Sequence, residues 1–88
     1  MNEHATRAQA SARLEDAPDE FKDPITDDVM EDPVLLPTSE NVMDRKTIMR
    51  ILMDKHEDPF NRKALTPDML VPQTELRERI EAFKRENL

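Results

Sequence analysis

The chain contains no cysteine, and this absence restricts how a protein of its size can fold. Its 88 residues are enough for one domain, and only 36% of them are hydrophobic. A core this small is often reinforced by a disulfide or a bound metal. Thiolate chemistry is excluded, and His4 and His56 are too few for a four-ligand zinc centre. We therefore expect no metal and no cofactor, and a fold held by loop-stiffening prolines and hydrogen-bonded or ion-paired side chains.

The charge of the chain limits its partners. A net charge of −7 at pH 7 disfavours nucleic acid and anionic membranes, because phosphate binding requires clustered Lys and Arg. No apolar run reaches the roughly 18 residues that a membrane span needs, and the first segment lacks the apolar stretch of a secretory signal. We expect protein partners, no nucleic acid, no membrane, and a location in the cytoplasm, the nucleus or both.

Prolines and apolar residues predict the order of the elements. Residues 1–16 are polar and Ala-rich, which indicates a disordered tail or a linker of a larger protein, followed by a domain over 17–87. Two short apolar runs at 34–36 and 42–43 predict a β-hairpin. In the turn between them, Asn41 is the residue expected to adopt the left-handed conformation.

Two helices follow from apolar spacing. Asp44 is a natural N-cap for a central helix that ends near Asp54, with one apolar stripe formed by Ile48, Ile51 and Leu52. A last helix is expected over about 74–86, with Leu76, Ile80 and Phe83 on one side. The sequence thus predicts an α+β fold in which a first loop, 18–33, and a second loop, 54–67, flank the central helix.

The segment from Asp58 to Arg62 in the second loop is a candidate binding edge. Pro59 fixes its own φ and restricts Asp58, so the segment is stiff. Arg62 presents five donors on a planar guanidinium group. Phe60 is expected to anchor the segment in the core, together with Phe21 and Phe83.

Several motifs, in this order and at these spacings, resemble a U-box domain over roughly 17–87, most of all the C-terminal U-box of ubiquitin conjugation factors of the chain-elongation class. The motifs are Asp19-Glu20-Phe21-x-Asp23-Pro24-Ile25, Met30-x-Asp32-Pro33-Val34-x-Leu36-Pro37, Asp44-Arg45-x-x-Ile48, Asp58-Pro59-Phe60-Asn61-Arg62 and Leu70-x-Pro72-x-x-Glu75-Leu76.

The resemblance implies a zinc-free, RING-like fold. U-boxes share the cross-braced fold of RING fingers but replace both zinc sites with hydrogen bonds and salt bridges. The pairing within this brace is left open by the sequence. Its candidate members are Asp32, Ser39, Asn41, Asp44, Arg45, Asp58 and Asn61.

The resemblance also implies a function in the ubiquitin conjugation pathway, including protein quality control. The domain would be a ubiquitin ligase or chain-elongation module, a RING-type ubiquitin transferase that forms no covalent intermediate. With no cysteine in the chain, the thioester must belong to a bound ubiquitin-conjugating enzyme. The domain, expected to be a monomer, would orient that thioester, with its ubiquitin, towards a lysine of a ubiquitylated substrate.

Four site residues follow from the resemblance. Ile25 and Pro59 take positions that pack against the conjugating enzyme, and Arg62 takes the position that bridges this enzyme and ubiquitin. The alternatives are a core isoleucine, a stiffening proline and a solvated or ion-paired arginine. Ile51 stands where related sequences often have histidine, so it either contacts the enzyme, alters enzyme preference or faces the core.

The first loop departs from the family pattern at Thr26 and Asp27, where apolar residues are common, and this departure is expected to weaken the interface there. A non-catalytic docking or dimerisation module of U-box shape remains an alternative function. An acidic helical adaptor unrelated to ubiquitin remains possible only if the hairpin at 34–43 is absent.

Overall fold

A computed structural model describes residues 17–87, and the tail expected over residues 1–16 lies outside this range. The hairpin is present. Strand β1 (Pro33–Leu36) pairs antiparallel with β2 (Asn41–Asp44), with Val34 opposite Met43. An acidic helical adaptor unrelated to ubiquitin required that this hairpin be absent, so that alternative is excluded.

A third strand was not expected from the sequence. Strand β3 (Val71–Pro72) pairs antiparallel with β1, which gives the sheet the order β2-β1-β3. A strand of two residues is too short to show an alternation of polar and apolar positions in the sequence. Proline donates no ladder hydrogen bond, and it is tolerated here because β3 lies at the sheet edge.

Both predicted helices form. Helix α1 (Arg45–Asp54) buries Ile48 and Leu52, and helix α2 (Thr74–Asn87) buries Ile80. Short 3-10 helices cover Asp19–Phe21 and Pro67–Met69. No helix within residues 17–87 is long and apolar enough to span a membrane.

Within residues 17–87 the core consists of two clusters. The larger joins the sheet, helix α1 and the second loop, and comprises Val34, Leu36, Met43, Ile48, Leu52, Leu65 and Leu70. The smaller joins the first loop to helix α2 and comprises Ala17, Phe21, Met30 and Ile80. Each long loop therefore contributes buried side chains to its own cluster.

Side chains of helix α2 pack against the start of the first loop and pair with it. The ring of Phe83 meets that of Phe21 edge to face, with centroids 5.6 Å apart. The guanidinium of Arg79 lies 5.4 Å from the centroid of Phe21 and pairs with Glu20. Such aromatic and cation–π contacts each contribute on the order of 1 kcal/mol. The first loop thus begins from a fixed point.

In the described part of the chain, three residues adopt the left-handed conformation, and none of them is glycine. They are Asp27, Glu40 and Arg62, with φ of 63°, 61° and 64°. The prediction for the hairpin turn was therefore wrong, because Glu40 takes this conformation and Asn41 begins β2. In each case the amide donates a 2.7 Å hydrogen bond to the carbonyl four residues earlier, and a proline follows that carbonyl. The chain contains no glycine, and charged residues occupy all three positions.

Candidate functional site

The two long loops contain the same bend, and its residues recur 35 positions later in the chain. We call residues 23–28 the Asp23 bend and residues 58–63 the Asp58 bend. Each begins with Asp-Pro and an exposed apolar residue, which is Ile25 in the first and Phe60 in the second. The repeat is short and differs in charge, which is why it is hard to see in the sequence.

Four of the hydrogen bonds within the Asp23 bend have counterparts in the Asp58 bend. The amide of Asp23 donates to the carbonyl of Asp28 (2.8 Å), and the amide of Asp27 donates to the carbonyl of Asp23 (2.7 Å). The carboxylate of Asp23 accepts from the amide of Ile25 at 2.8 Å. The hydroxyl of Thr26 accepts from the amide of Asp28 at 3.3 Å.

The Asp58 bend repeats every one of these bonds. The amide of Asp58 donates to the carbonyl of Lys63 (2.8 Å), and the amide of Arg62 donates to the carbonyl of Asp58 (2.7 Å). The carboxylate of Asp58 accepts from the amide of Phe60 at 2.7 Å. The side-chain oxygen of Asn61 accepts from the amide of Lys63 at 3.1 Å. Arg62 therefore has a fixed backbone.

The residues on either side of the bends also correspond. An isolated antiparallel bridge joins Lys22 to Val29, and another joins Glu57 to Ala64. The next residues, Met30 and Leu65, are buried in separate core clusters. Each bend is therefore the tip of a small hairpin whose returning chain is anchored in the core.

The carboxylate of each leading aspartate also reaches the main hairpin. Oδ2 of Asp23 accepts a 2.9 Å bond from the amide of Asp44, at the end of β2. Oδ2 of Asp58 accepts from the hydroxyl of Thr38, in the turn that leads from β1 into β2. Asn61 adds a 2.9 Å bond to the carbonyl of Thr38. The two bends are thereby attached at opposite ends of the segment 38–44, which comprises most of the hairpin turn and β2.

The other candidate brace residues extend this network. Asp44 stands at the N-cap position, but its side chain does not cap α1; it accepts bonds from the amides of Glu31 (3.0 Å) and Asp32 (3.4 Å). Arg45 pairs with Asp32 at 2.8 Å. In the hairpin turn, Asn41 donates to Ser39 at 3.0 Å.

Sequence reasoning missed two members of the network, Asp23 and Thr38. Asp23 is as deeply buried as Asp58 and accepts bonds at both carboxylate oxygens. Its signal was the repeated Asp-Pro dipeptide, since Asp23-Pro24 matches Asp58-Pro59. No local signal distinguishes Thr38 from Ser39, because its role depends on a residue 20 positions away.

Asp58 is fully buried, with 0% of its surface exposed. Burial acts to raise the pKa of its carboxyl group. Hydrogen bonds from the hydroxyls of Ser39 and Thr38 and from the amides of Phe60 and Asn61 outweigh this effect and hold the pKa below its usual value. Asp58 is therefore a charged, structural group in the folded protein at neutral pH.

The tips of the bends carry exposed apolar groups. Ile25 is 49% exposed, so it is not a core residue. Phe60 is 42% exposed, and its predicted place in the core was wrong: the bond from its amide to Asp58 turns the backbone so that the ring is not buried. Pro59 and Arg62 are exposed beside it. Ile51, in contrast, is half-buried and packs against the larger core cluster.

Comparison with known proteins decides the family. Residues 17–88 match the family model of the U-box domain. The chain belongs to the U-box family. The matched range spans both bends, the hairpin and both helices. Because a U-box without cysteine cannot form thiolate zinc sites, this domain is zinc-free, and the carboxylates of Asp23 and Asp58 hold its two long loops by hydrogen bonds instead.

Relatives of this U-box are named as ubiquitin conjugation factors. It is 50% identical over 74 residues to the "Probable ubiquitin conjugation factor E4" of Arabidopsis thaliana, a match that covers 84% of this chain and 7% of that protein. It is 45% identical over 71 residues to the "E4 ubiquitin-protein ligase UFD2" of Saccharomyces cerevisiae, covering 81% and 7%. The chain thus spans only a small part of these relatives.

A solved structure agrees with the fold. The RING finger-like domain of Retinoblastoma Binding Protein-6 aligns with a TM-score of 0.70 and 31% identity, over 85% of this chain and 87% of that one. The small α+β U-box with a three-stranded sheet and two helices is therefore RING-like, as the sequence predicted.

Proposed function

We propose that this U-box recruits a ubiquitin-charged conjugating enzyme and orients its thioester for transfer to a lysine, either in ligation or in chain elongation. The proposal is supported by relatives named as ubiquitin conjugation factors. The single observation that carries it is the pair of equivalent bends, which present Ile25 and Phe60 as exposed apolar groups on a hydrogen-bonded frame. Exposed apolar side chains on stiff loops are characteristic of interaction sites.

The chemistry belongs to the partner in this proposal. The chain offers no thiol to carry ubiquitin, so the thioester stays on the conjugating enzyme throughout. What the U-box contributes is restriction of the conjugate to geometries in which a lysine amine can reach the thioester carbonyl. This makes it a RING-type ubiquitin transferase without a covalent intermediate.

Arg62 is proposed to hold the conjugate. Its guanidinium makes no hydrogen bond or ion pair within residues 17–87, whereas its amide is fixed to the carbonyl of Asp58. A planar group with five donors and no acceptor suits simultaneous contact with carbonyl oxygens of the enzyme and of ubiquitin. Ile25, Phe60 and Pro59 would contact the enzyme alone, and the exposed part of Ile51 would border the same contact.

A discharge assay tests this function. The loss of the enzyme–ubiquitin thioester to free lysine is measured with and without the domain, for several conjugating enzymes, using the wild type and Arg62→Ala. We expect the wild type to accelerate discharge and Arg62→Ala to lose most of the acceleration at saturating domain. Equal rates for the two would remove Arg62 from the mechanism.

The same assay separates the alternative. A non-catalytic docking module of U-box shape binds the conjugating enzyme but leaves discharge at the rate without the domain. Self-association is a separate question, and we propose a monomer, because the outer side of α2 carries the exposed charges Arg77, Glu78 and Glu81. Sedimentation that gives a dimer mass would contradict the monomer.

A further inference from the structure

Asp27 and Arg62 occupy equivalent positions in the two bends but carry opposite charges. Each closes its bend in the left-handed conformation, with φ of 63° and 64°. Both are exposed, and neither side chain makes a hydrogen bond or ion pair within the part of the chain that the structure describes. The next residues repeat the difference, since Asp28 in one bend corresponds to Lys63 in the other.

The equivalence of the bends creates an ambiguity for any partner. Because Ile25 and Phe60 sit at the same point of the same backbone motif, an apolar pocket that accepts one bend has a similar surface available on the other. Apolar contacts alone discriminate poorly between such sites. Charges of opposite sign at the ends of the bends remove the ambiguity, since a reversed orientation brings like charges together.

The left-handed backbone at Asp27 restricts which residues can stand at this position. Glycine fits this conformation without steric cost, and aspartate fits it better than most other residues. Aspartate therefore supplies a charge at a position where the backbone demand is strict. Asp27 stands where an apolar residue is common in the family, and it adds a negative charge to the exposed end of the bend.

We propose that Asp27 selects and orients the conjugating enzyme, by pairing with a basic side chain that the enzyme presents at the Asp23 bend while Arg62 acts at the Asp58 bend. This inference rests on the proposed function and gives it a partner preference. Conjugating enzymes with a lysine or arginine at that contact bind well. Enzymes with an acidic residue there are rejected, since like charges at an interface are unfavourable.

The test uses one conjugating enzyme whose discharge the wild-type domain accelerates. Its affinity for the domain is measured by calorimetry at about 50 mM and about 300 mM NaCl, where the screening of exposed charges differs strongly. At low salt we expect Asp27→Asn to weaken binding about threefold and Asp27→Lys about tenfold, with smaller effects at high salt. Glu78→Lys makes the same change in net charge on α2 and is expected to leave the affinity unchanged.

Discharge kinetics distinguish orientation from structure. Asp27→Lys is expected to raise the domain concentration for half-maximal discharge and to leave the rate at saturation near that of the wild type, whereas Arg62→Ala lowers the rate at saturation. Amide shift perturbation locates the basic residue on the enzyme. Its replacement by glutamate is expected to restore binding to Asp27→Lys, because the pair is re-formed with reversed signs.

Two results overturn the inference in different ways. Equal affinities for Asp27→Lys and Glu78→Lys at low salt, with wild-type binding intact, refute the role of Asp27 and leave the proposed function standing. A wild-type domain that neither binds nor accelerates any enzyme of the panel refutes the proposed function, and the role of Asp27 with it.

Discussion

The backbone amide of Asp44 donates a 2.9 Å hydrogen bond to Oδ2 of Asp23, and both residues are buried. This bond joins the first loop to the end of β2. It links residues 21 positions apart, and its acceptor, Asp23, was not among the brace residues expected from the sequence.

Asp23→Ala is expected to lower the free energy of unfolding by about 2–4 kcal/mol, because it leaves the buried amide of Asp44 without its acceptor and releases the Asp23 bend. Urea denaturation followed by circular dichroism measures the change. Asp54→Ala removes an exposed carboxylate at the end of α1 and is the control, with an expected effect within about 0.5 kcal/mol. Similar values for the two variants would show that the bond is dispensable.

Asp58 is expected to make the free energy of unfolding depend on pH in the acidic range. Its folded-state pKa lies below the usual value, so the unfolded chain binds protons more readily in the acidic range and stability increases with pH there. The contribution is complete above the ordinary aspartate pKa of about 3.9 and disappears as the pH falls through the lower folded-state pKa. Denaturation midpoints measured from about pH 6 to about pH 2 report it.

The difference between wild type and Asp58→Asn isolates this carboxylate from the others. The variant is expected to be less stable near neutral pH and to approach the wild type at low pH. Asp68→Asn is the control: its pKa is lowered by a hydrogen bond from Thr66, but its carboxylate is exposed and screened by solvent. Parallel pH curves for wild type and Asp58→Asn would contradict the assignment.

Arg62→Gly is expected to separate stability from activity. Glycine relieves the left-handed backbone but is more flexible when unfolded, so stability should remain the same or rise by up to about 1 kcal/mol. Discharge acceleration should be lost with the guanidinium. Glu40→Gly has the same backbone change in the hairpin turn and should gain similar stability while keeping the acceleration. Retained acceleration in Arg62→Gly would mean that the loop, not the side chain, is what matters.

Substitutions of Phe60 and Leu65 are expected to have opposite effects on binding and on stability, although the two residues lie close in sequence. Phe60→Ala removes an exposed ring, so it should weaken binding of the conjugating enzyme with little change in unfolding. Leu65→Ala opens a cavity in the larger core cluster and should cost about 2–5 kcal/mol of stability. Calorimetric titration and urea denaturation of both variants test the contrast, which fails if Phe60→Ala is the more destabilised of the two.

Chelation is expected to leave the domain folded. With no thiolate ligand in the chain, the loops are held by carboxylates, hydroxyls and amides, none of which requires an ion. The circular dichroism spectrum and the urea midpoint should be the same with and without excess EDTA. Unfolding on addition of EDTA would refute the zinc-free brace.

The sequence was most informative where one residue type has one local role. The apolar stripes placed Ile48, Leu52 and Ile80 in helices because helical spacing is a local property. Predictions failed where a distant partner decides the outcome. Asp44 suited an N-cap locally, but amides of the first loop take its carboxylate. Phe60 failed for a local reason: it suited a core by residue type, but the bond from its amide to Asp58, two residues earlier, keeps the ring outside.

Strand β2 sets the separation of the two bends. Because Asp58 holds Thr38 before the strand and Asp23 holds Asp44 at its end, the bends are spaced by the length of this one segment. Each added pair of strand residues would move them apart by about 7 Å while keeping the pleat in register. In the proposed complex, the length of β2 therefore sets the distance between the two apolar tips that the conjugating enzyme contacts, and domains with longer or shorter strands are expected to fit enzymes whose contacts are spaced differently.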